Sequence, residues 1–126
     1  MKNILVVDDD KATLQILERI LQKNGYNVDT AETGREAEEK VNGKPFDLAL
    51  IDVKLPDTDG IDLLSEIHQI KPKMIKIVIT GFASMENGIR AMEVGADAYL
   101  VKPVSSSELL RVIEQKLKEH DSHGET

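Results

Sequence analysis

The sequence predicts an α/β domain built on a doubly wound, five-stranded parallel sheet. Two observations predict this fold class. Four largely apolar runs and one weakly alternating segment, each of four to six residues, alternate with segments whose apolar residues recur at helical spacing. The connections between these segments are short, which is typical of a parallel sheet with helices on both faces. A chain of 126 residues suffices for one such domain and is too short for two ordinary ones.

Five segments are predicted to form the strands, four of them because they are rich in apolar residues and the second because its apolar and polar residues alternate weakly. They comprise residues 4–7, 26–31, 46–51, 75–79 and 98–101. The first and the third are apolar almost throughout, which is typical of strands buried on both faces of a parallel sheet. The order of the strands within the sheet stays open at this point.

Five helices are predicted between and after these strands, over residues 11–23, 33–41, 60–71, 84–94 and 105–119. Capping boxes mark the start of the second helix, at Thr33 and Glu36, and of the fifth, at Ser105 and Glu108. Gly88 lies in the middle of the fourth helix and costs it about 1 kcal/mol relative to alanine. We therefore expect the fourth helix to be the least stable. Met85 and Met92 recur at helical spacing there and are predicted to be core residues, the alternative being an adaptable surface for a partner, which methionine also suits.

Composition limits the domain organisation and the class of protein. We expect one domain over residues 1–119 and a polar, disordered tail over residues 120–126. The chain has no cysteine, which excludes disulfides and thiolate chemistry. Its formal net charge of -7 disfavours direct binding to nucleic acids. Because no apolar run is long enough for a signal peptide or a membrane span, we expect a soluble, cytoplasmic protein with no membrane partner.

Acidic residues follow two of the predicted strands. Asp8 and Asp9 follow the first strand and Asp52 follows the third, and ligands of open α/β sheets bind at the carboxyl ends of strands. If the strand order is flavodoxin-like, these carboxylates meet and repel one another by roughly 4 kcal/mol per pair. Either a pKa then rises or a cation such as Mg²⁺ binds between them. The alternative, helix capping, is favoured for Asp10, whereas Asp52 makes the metal site the better interpretation for Asp8 and Asp9.

Thr80 and Lys102 directly follow the fourth and fifth predicted strands. Taken singly, Thr80 is more often a turn residue and Lys102 a solvated charge. Together they bring a hydroxyl donor and a fixed positive charge to the edge of the sheet where Asp52 lies. Phosphoryl transfer needs such stabilisation of the phosphoryl oxygens, so the set identifies Asp52 as a candidate phosphate acceptor.

The sequence resembles the receiver domains of two-component response regulators, which have a (βα)5, flavodoxin-like fold. The matching stretches span most of the chain and comprise residues 4–10, 52–60, 80–81 and 95–103. The resemblance implies that a sensor histidine kinase or a histidine phosphotransfer protein phosphorylates Asp52 in a Mg²⁺-dependent reaction. It implies the following roles: metal ligands at Asp8, Asp9, Asp52 and the backbone carbonyl of Val53, and phosphoryl contacts from Thr80 and Lys102.

The resemblance also implies a switch. On phosphorylation the added charge draws Thr80 inward, and Tyr99 moves into the vacated space, so that the surface of the fourth helix, fifth strand and fifth helix changes. A cis peptide is implied between Lys102 and Pro103. Ala98 and Val112 stand where dimerising members often carry charges, so we expect a monomer or a weak dimer.

Two other functions compete with the signalling switch. A hydrolase with an aspartyl-phosphate intermediate is disfavoured, because Lys54 stands where such enzymes have a second aspartate. A flavodoxin-like cofactor binder is disfavoured, because aspartates replace the phosphate-binding loop after the first strand. We expect a non-enzymatic domain that catalyses only its own phosphorylation and dephosphorylation. It is either a stand-alone regulator or a receiver taken from a longer protein.

Overall fold

Five parallel strands form one sheet in the computed structural model, which describes residues 1–124. The strands are β1 (Asn3–Val7), β2 (Asn27–Ala31), β3 (Leu48–Ile51), β4 (Ile75–Thr80) and β5 (Ala98–Val101). The helices are α1 (Lys11–Lys23), α2 (Gly34–Gly43), α3 (Gly60–Ile70), α4 (Met85–Glu93) and α5 (Ser106–Gly124). The alternation of strand and helix confirms the predicted doubly wound α/β fold.

The strand order β2-β1-β3-β4-β5 places the first and third strands side by side. Strand β2 lies on one side of β1, whereas β3, β4 and β5 follow one another on the other side. The direction in which strands are added to the sheet therefore reverses between β1 and β3. Their register pairs Val7 with Ile51, and the N–H of Asp52 donates to the Val7 carbonyl at 3.0 Å. Asp8 and Asp52 therefore leave the sheet as neighbours at the point where open α/β sheets bind ligands.

The core lies on both faces of the central strands. Successive residues of a strand point to opposite faces, so Leu5 and Val7 pack with α2 and α3 while Ile4 and Val6 pack with α1 and α5. All four residues of β3 are buried. This double burial explains why the first and third strands are apolar almost throughout.

The predicted helix starts are confirmed by their side-chain hydrogen bonds. The Asp10 carboxylate accepts from the Ala12 N–H at 3.1 Å, as expected for the cap of α1. The Thr33 hydroxyl accepts from the Glu36 N–H at 3.0 Å, and the Ser105 hydroxyl accepts from the Glu108 N–H at 3.1 Å. Local sequence therefore sets where these helices begin.

Helix α5 continues to Gly124, five residues past the expected domain boundary at residue 119. Lys2, beside β1, donates from Nζ to Asp121 Oδ1 at 2.9 Å and ties this last part of the helix to the sheet. Residues 120–124 of the expected disordered tail are thus helical, and residues 125–126 lie outside the described residues. Within residues 1–124, no helix has both the length and the apolar character required to cross a membrane.

The methionines of α4 do not lie in the core, so that prediction was wrong. Met85 is 83% exposed and Met92 is 52% exposed, and Ala91 is the buried residue of the helix. Helical spacing indicates that apolar residues share a face, but it does not indicate whether another element covers that face. In α4 the face carrying Met85 and Met92 points to solvent.

A buried lysine near the start of β4 had no signal in the sequence. Lys76 is 1% exposed, and its ammonium group donates to the Met74 carbonyl at 2.5 Å. Burial lowers the pKa of Lys76, and the charge of Asp97 acts against this effect. Lys76 lies at the end of the sheet opposite to Asp52, so it belongs to the scaffold.

Candidate functional site

Three carboxylates meet at the carboxyl ends of β1 and β3. Asp8, Asp9 and Asp52 each offer an oxygen atom, and these atoms all lie within 4.8 Å of one another. Asp8 and Asp52 are buried at 2% and 4% exposure, whereas Asp9 is exposed. The predicted acidic cluster therefore exists, with one member open to solvent.

Lys102, directly after β5, reaches across the sheet edge to two of these carboxylates. Its Nζ donates to Asp8 Oδ2 at 2.7 Å and to Asp52 Oδ2 at 3.2 Å. The other oxygen of Asp8 accepts from the N–H of Asp10 at 2.9 Å. By contrast, Oδ1 of Asp52 is buried and has no hydrogen-bond partner among residues 1–124. Both oxygens of Asp8 are engaged, and one oxygen of Asp52 is not.

The site carries more negative than positive charge, since three carboxylates lie together and Lys102 bonds to two of them. Burial raises the pKa of Asp8, and the hydrogen bond from Lys102 only partly opposes this effect. For Lys102, burial lowers the pKa, but the hydrogen bond to Asp8 and the nearby carboxylate charges outweigh burial and raise it. The three carboxylates form an all-oxygen donor set, which fits a hard divalent cation such as Mg²⁺.

The backbone carbonyl of Val53, the fourth expected metal ligand, already accepts a hydrogen bond. The N–H of Gly60 donates to it at 2.6 Å. A carbonyl oxygen has a second lone pair, yet this short hydrogen bond competes with metal coordination. The three carboxylates are therefore the stronger candidate ligands.

Gly60 packs directly against the backbone of Asp52. A Cβ atom at Gly60 would lie 1.8 Å from the Asp52 carbonyl oxygen and 2.9 Å from Val53 Cα. Only a residue without a side chain fits there, so the start of α3 fixes the backbone that carries the Asp52 carboxylate. The Asp-Gly pair at residues 59–60 is visible in the sequence, but this contact is not.

Thr80 lies at the same edge of the sheet and is fully buried. Its hydroxyl oxygen accepts from the Phe82 N–H at 3.0 Å, and its carbonyl accepts from the Lys102 N–H at 2.9 Å. The structure thus brings Thr80 to the end of β4, beside the strand that carries Asp52, with its hydroxyl bonded to the loop before α4. Among the described hydrogen bonds, none joins Thr80 to Asp52.

Tyr99 in β5 is half-buried and packs against α4. A Cβ atom at Gly88 would lie 3.8 Å from the Tyr99 ring, which is ordinary van der Waals contact. The Tyr99 hydroxyl is buried without a hydrogen-bond partner among the residues that the structure describes. Tyr99 therefore lies between the sheet and the helix that the sequence predicts to be least stable.

Two further features adjoin the site. The Lys102–Pro103 peptide bond is cis, as expected. Lys54 places its ammonium group 4.5 Å from the centre of the Phe82 ring, a contact that the sequence did not predict. Lys54 follows Asp52 by two residues and Phe82 follows Thr80 by two, so this contact joins the two loops that leave the site.

Comparison with known proteins identifies the family. The sequence model of the response regulator receiver domain matches residues 4–114. The chain belongs to this family. Receiver domains bind Mg²⁺ at an acidic cluster, and in this receiver domain Asp8, Asp9 and Asp52 form that cluster. The resemblance proposed from the sequence motifs is thereby confirmed.

Among curated proteins, the receiver domain is similar to two transcriptional regulatory proteins of Escherichia coli (strain K12). It is 39% identical to ZraR over 125 residues, which cover 98% of this chain and 28% of ZraR. It is 37% identical to BasR over 123 residues, which cover 98% of this chain and 55% of BasR. The receiver domain thus spans only about a quarter to a half of the length of these relatives.

Solved structures of receiver domains superpose closely on this one. A CheY-like receiver domain protein from Methanospirillum hungatei JF-1 has a TM-score of 0.96 and 45% identity, covering 98% of both chains. The beryllofluoride-activated NtrC4 receiver domain dimer has a TM-score of 0.90 and 38% identity, covering 95% of this chain and 99% of that one. These similarities confirm the five-stranded receiver fold.

Proposed function

We propose that this receiver domain is the phosphoacceptor switch of a two-component phosphorelay and that Asp52 is the residue phosphorylated. The observation that carries the proposal is the contrast between the two buried carboxylates. Asp8 has both oxygens engaged, by Lys102 and by the Asp10 N–H, whereas Oδ1 of Asp52 has no partner among residues 1–124. A carboxylate oxygen without a hydrogen bond is the better nucleophile, so the geometry favours Asp52 over Asp8 as acceptor.

Asp8, Asp9 and Asp52 would hold Mg²⁺. When bound, the ion neutralises charge on the acceptor carboxylate and on the phosphoryl oxygens, which lowers the barrier to phosphoryl transfer. Asp9 is exposed and Asp8 is buried, so the site opens to solvent on the side of Asp9. This side is the entry path for the ion.

The phosphoryl group would come from a phosphohistidine of a sensor histidine kinase or a histidine phosphotransfer protein. An oxygen of Asp52 forms the new P–O bond while the P–N bond to the donor imidazole breaks. Lys102, already bonded to Asp52, supplies positive charge to the transferred group, and the Thr80 hydroxyl supplies a hydrogen-bond donor. The domain catalyses only its own phosphorylation and dephosphorylation.

Coupling to the rest of the molecule would run through Thr80 and Tyr99. The Thr80 hydroxyl holds the N–H of Phe82, so a turn of Thr80 toward a phosphoryl group releases the loop before α4. Tyr99, packed against α4 with an unpartnered hydroxyl, then changes position. The relatives ZraR and BasR are transcriptional regulatory proteins, which directs the search for the output toward transcription.

Incubation with Mg²⁺ and acetyl phosphate tests the acceptor. We expect mass spectrometry to detect one added phosphate on the wild-type protein and none on Asp52→Asn. Asp10→Asn is the matched control, because asparagine caps helices as well as aspartate and should leave labelling intact. Labelling of Asp52→Asn at the wild-type level would contradict the assignment.

Thermal unfolding tests the metal site without any phosphodonor. A ligand present at 100 times its dissociation constant stabilises the folded state by about 2.7 kcal/mol, which raises the melting temperature by several degrees. We expect Mg²⁺ to produce such a rise in the wild type and a much smaller one in Asp9→Asn. An equal rise in both would remove Asp9 from the ligand set.

A further inference from the structure

Asp59 joins the loop that follows Asp52 to two helices. This loop, residues 53–59, connects β3 to α3 and is called the acceptor loop below. Asp59 Oδ1 accepts from the N–H of Ile61 at 2.7 Å and so caps α3. The same oxygen accepts from Nη2 of Arg90 in α4 at 2.6 Å. One carboxylate therefore serves both as a helix cap and as the partner of a cation from α4.

The acceptor loop is fixed by hydrogen bonds at other points, so a displacement of Asp59 is passed on to the rest of the loop. The Gly60 N–H donates to the Val53 carbonyl at 2.6 Å and closes the loop on itself next to Asp52. The Asp57 carboxylate accepts from the N–H groups of Gly34 and Arg35, at 2.8 and 3.0 Å, and fixes the loop to the start of α2. A pull on Asp59 therefore acts on the backbone beside Asp52.

We propose that Arg90 is a positioning residue that fastens α4 to the acceptor loop through Asp59. The ion pair holds α4 in the arrangement of the unphosphorylated domain. It thereby couples the position of α4 to the state of Asp52 by a route that is separate from Thr80 and Tyr99. The coupling to Asp52 rests on the proposed function, whereas the fastening of α4 does not.

The exposure of the pair sets the size of the effect. The side chains of Arg90 and Asp59 are 42% and 37% exposed, so the solvent screens their attraction. Exposed ion pairs change an equilibrium by a factor of about two to five. Loss of the pair should therefore change the equilibrium constant between the resting and the displaced positions of α4 by about this factor.

Amide hydrogen exchange tests the fastening. Arg90→Gln removes the cation, and Asp59→Asn removes the charge while retaining the cap, since asparagine and aspartate cap equally well. We expect the α4 amides to exchange about two- to five-fold faster in each variant. The double variant should exchange no faster than Arg90→Gln, because Arg90→Gln alone removes both the contact with Asp59 at 2.6 Å and the longer one with Asp62 at 3.9 Å.

Two controls complete the exchange experiment. Arg19→Gln makes the same charge change at an exposed position of α1 and should leave α4 exchange unchanged. Arg90→Lys retains the charge without the planar fork and should restore part of the protection. Wild-type exchange rates in Arg90→Gln would overturn the proposal, and so would additive effects of Arg90→Gln and Asp59→Asn.

Binding of beryllofluoride with Mg²⁺ tests the coupling to Asp52, with amide chemical shifts as the readout. Removal of a contact that favours the resting arrangement should tighten binding to Arg90→Gln by about two- to five-fold. Equal or weaker binding than in the wild type would overturn the coupling. Failure of the wild type itself to bind would count against the proposed function, and the exchange rates would still decide whether Arg90 fastens α4.

Discussion

Replacing Gly60 with alanine tests the claim that the start of α3 fixes the backbone of Asp52. The added Cβ would lie 1.8 Å from the Asp52 carbonyl oxygen, whereas ordinary contact begins at 3.4 Å. Because the atoms it meets are backbone atoms and not the end of a flexible side chain, the chain itself must move. Either the Asp52 strand end shifts or the first turn of α3 is displaced, and both disturb the site.

The cost follows from the contacts that are lost. Overpacking of a well-packed site costs about 1 to 3 kcal/mol. A shift of this size also breaks the hydrogen bond from the Gly60 N–H to Val53, which is worth about 1 kcal/mol. We therefore expect Gly60→Ala to lower the free energy of unfolding by about 2 to 4 kcal/mol, a large part of the stability of an ordinary domain.

Urea unfolding followed by circular dichroism measures this loss. With a slope near 2 kcal/mol/M, the midpoint should fall by about 1 to 2 M. Gly43→Ala is the matched control, because Gly43 ends α2 and a Cβ there would meet nothing within 4 Å. That control should unfold at or slightly above the wild-type midpoint. A Gly60→Ala midpoint equal to that of Gly43→Ala would refute the reasoning.

Three other predictions follow from the same contacts. Gly88→Ala should raise the free energy of unfolding by up to about 1 kcal/mol in urea titrations, because its Cβ meets the Tyr99 ring at an ordinary 3.8 Å; destabilisation would contradict this. Burial raises the pKa of Asp29, but hydrogen bonds from Lys44 and Lys40 outweigh it and lower the pKa to about 2. The ionised Asp29 carboxylate therefore stabilises the folded state fully above about pH 4, and this stabilisation is lost as the pH falls toward 2. Asp29→Asn should lower the free energy of unfolding by about 1 to 2 kcal/mol near neutral pH and by much less near pH 2. If the free energies of unfolding of the two proteins differ by the same amount at every pH, the prediction is wrong. Lys54→Ala removes the contact with Phe82 that joins the two loops leaving the site, so water should reach the phosphoryl group more easily and dephosphorylation should be about two- to five-fold faster. Equal phosphoryl half-lives in the variant and the wild type would show that Lys54 does not limit the approach of water.

The fold was predictable because its signals are local. β-branched runs identify strands, and side chains such as Thr33 and Ser105 mark helix starts through bonds to residues three positions away. The candidate site was predictable for a related reason. Parallel strands end at one edge of the sheet, so Asp8, Asp52 and Lys102 had only to follow strands in order to converge.

What the sequence did not predict depends on contacts between distant segments. The link from Arg90 to Asp59 and the link from Lys2 to Asp121 join residues far apart in the chain. Met85 has the spacing of a core residue, yet it is 83% exposed. Lys76 alternates with isoleucines as an exposed residue would, yet it is buried, with its ammonium group bonded to the Met74 carbonyl. In each case the residue type is compatible with either outcome, and tertiary packing decides.

The distribution of buried contacts indicates which element responds to a change at Asp52. Helix α3 buries four large apolar side chains, Ile61, Leu63, Leu64 and Ile67, whereas α4 buries Ala91. Each buried Leu or Ile contributes about 1.5 to 3 kcal/mol, so displacing α3 costs far more than displacing α4. The acceptor loop is also fixed to α2 and to the start of α3 by Asp57 and Gly60. We therefore expect a perturbation at Asp52 to move α4, the helix with the least burial to lose, and the Arg90 ion pair to set part of the resistance to that movement.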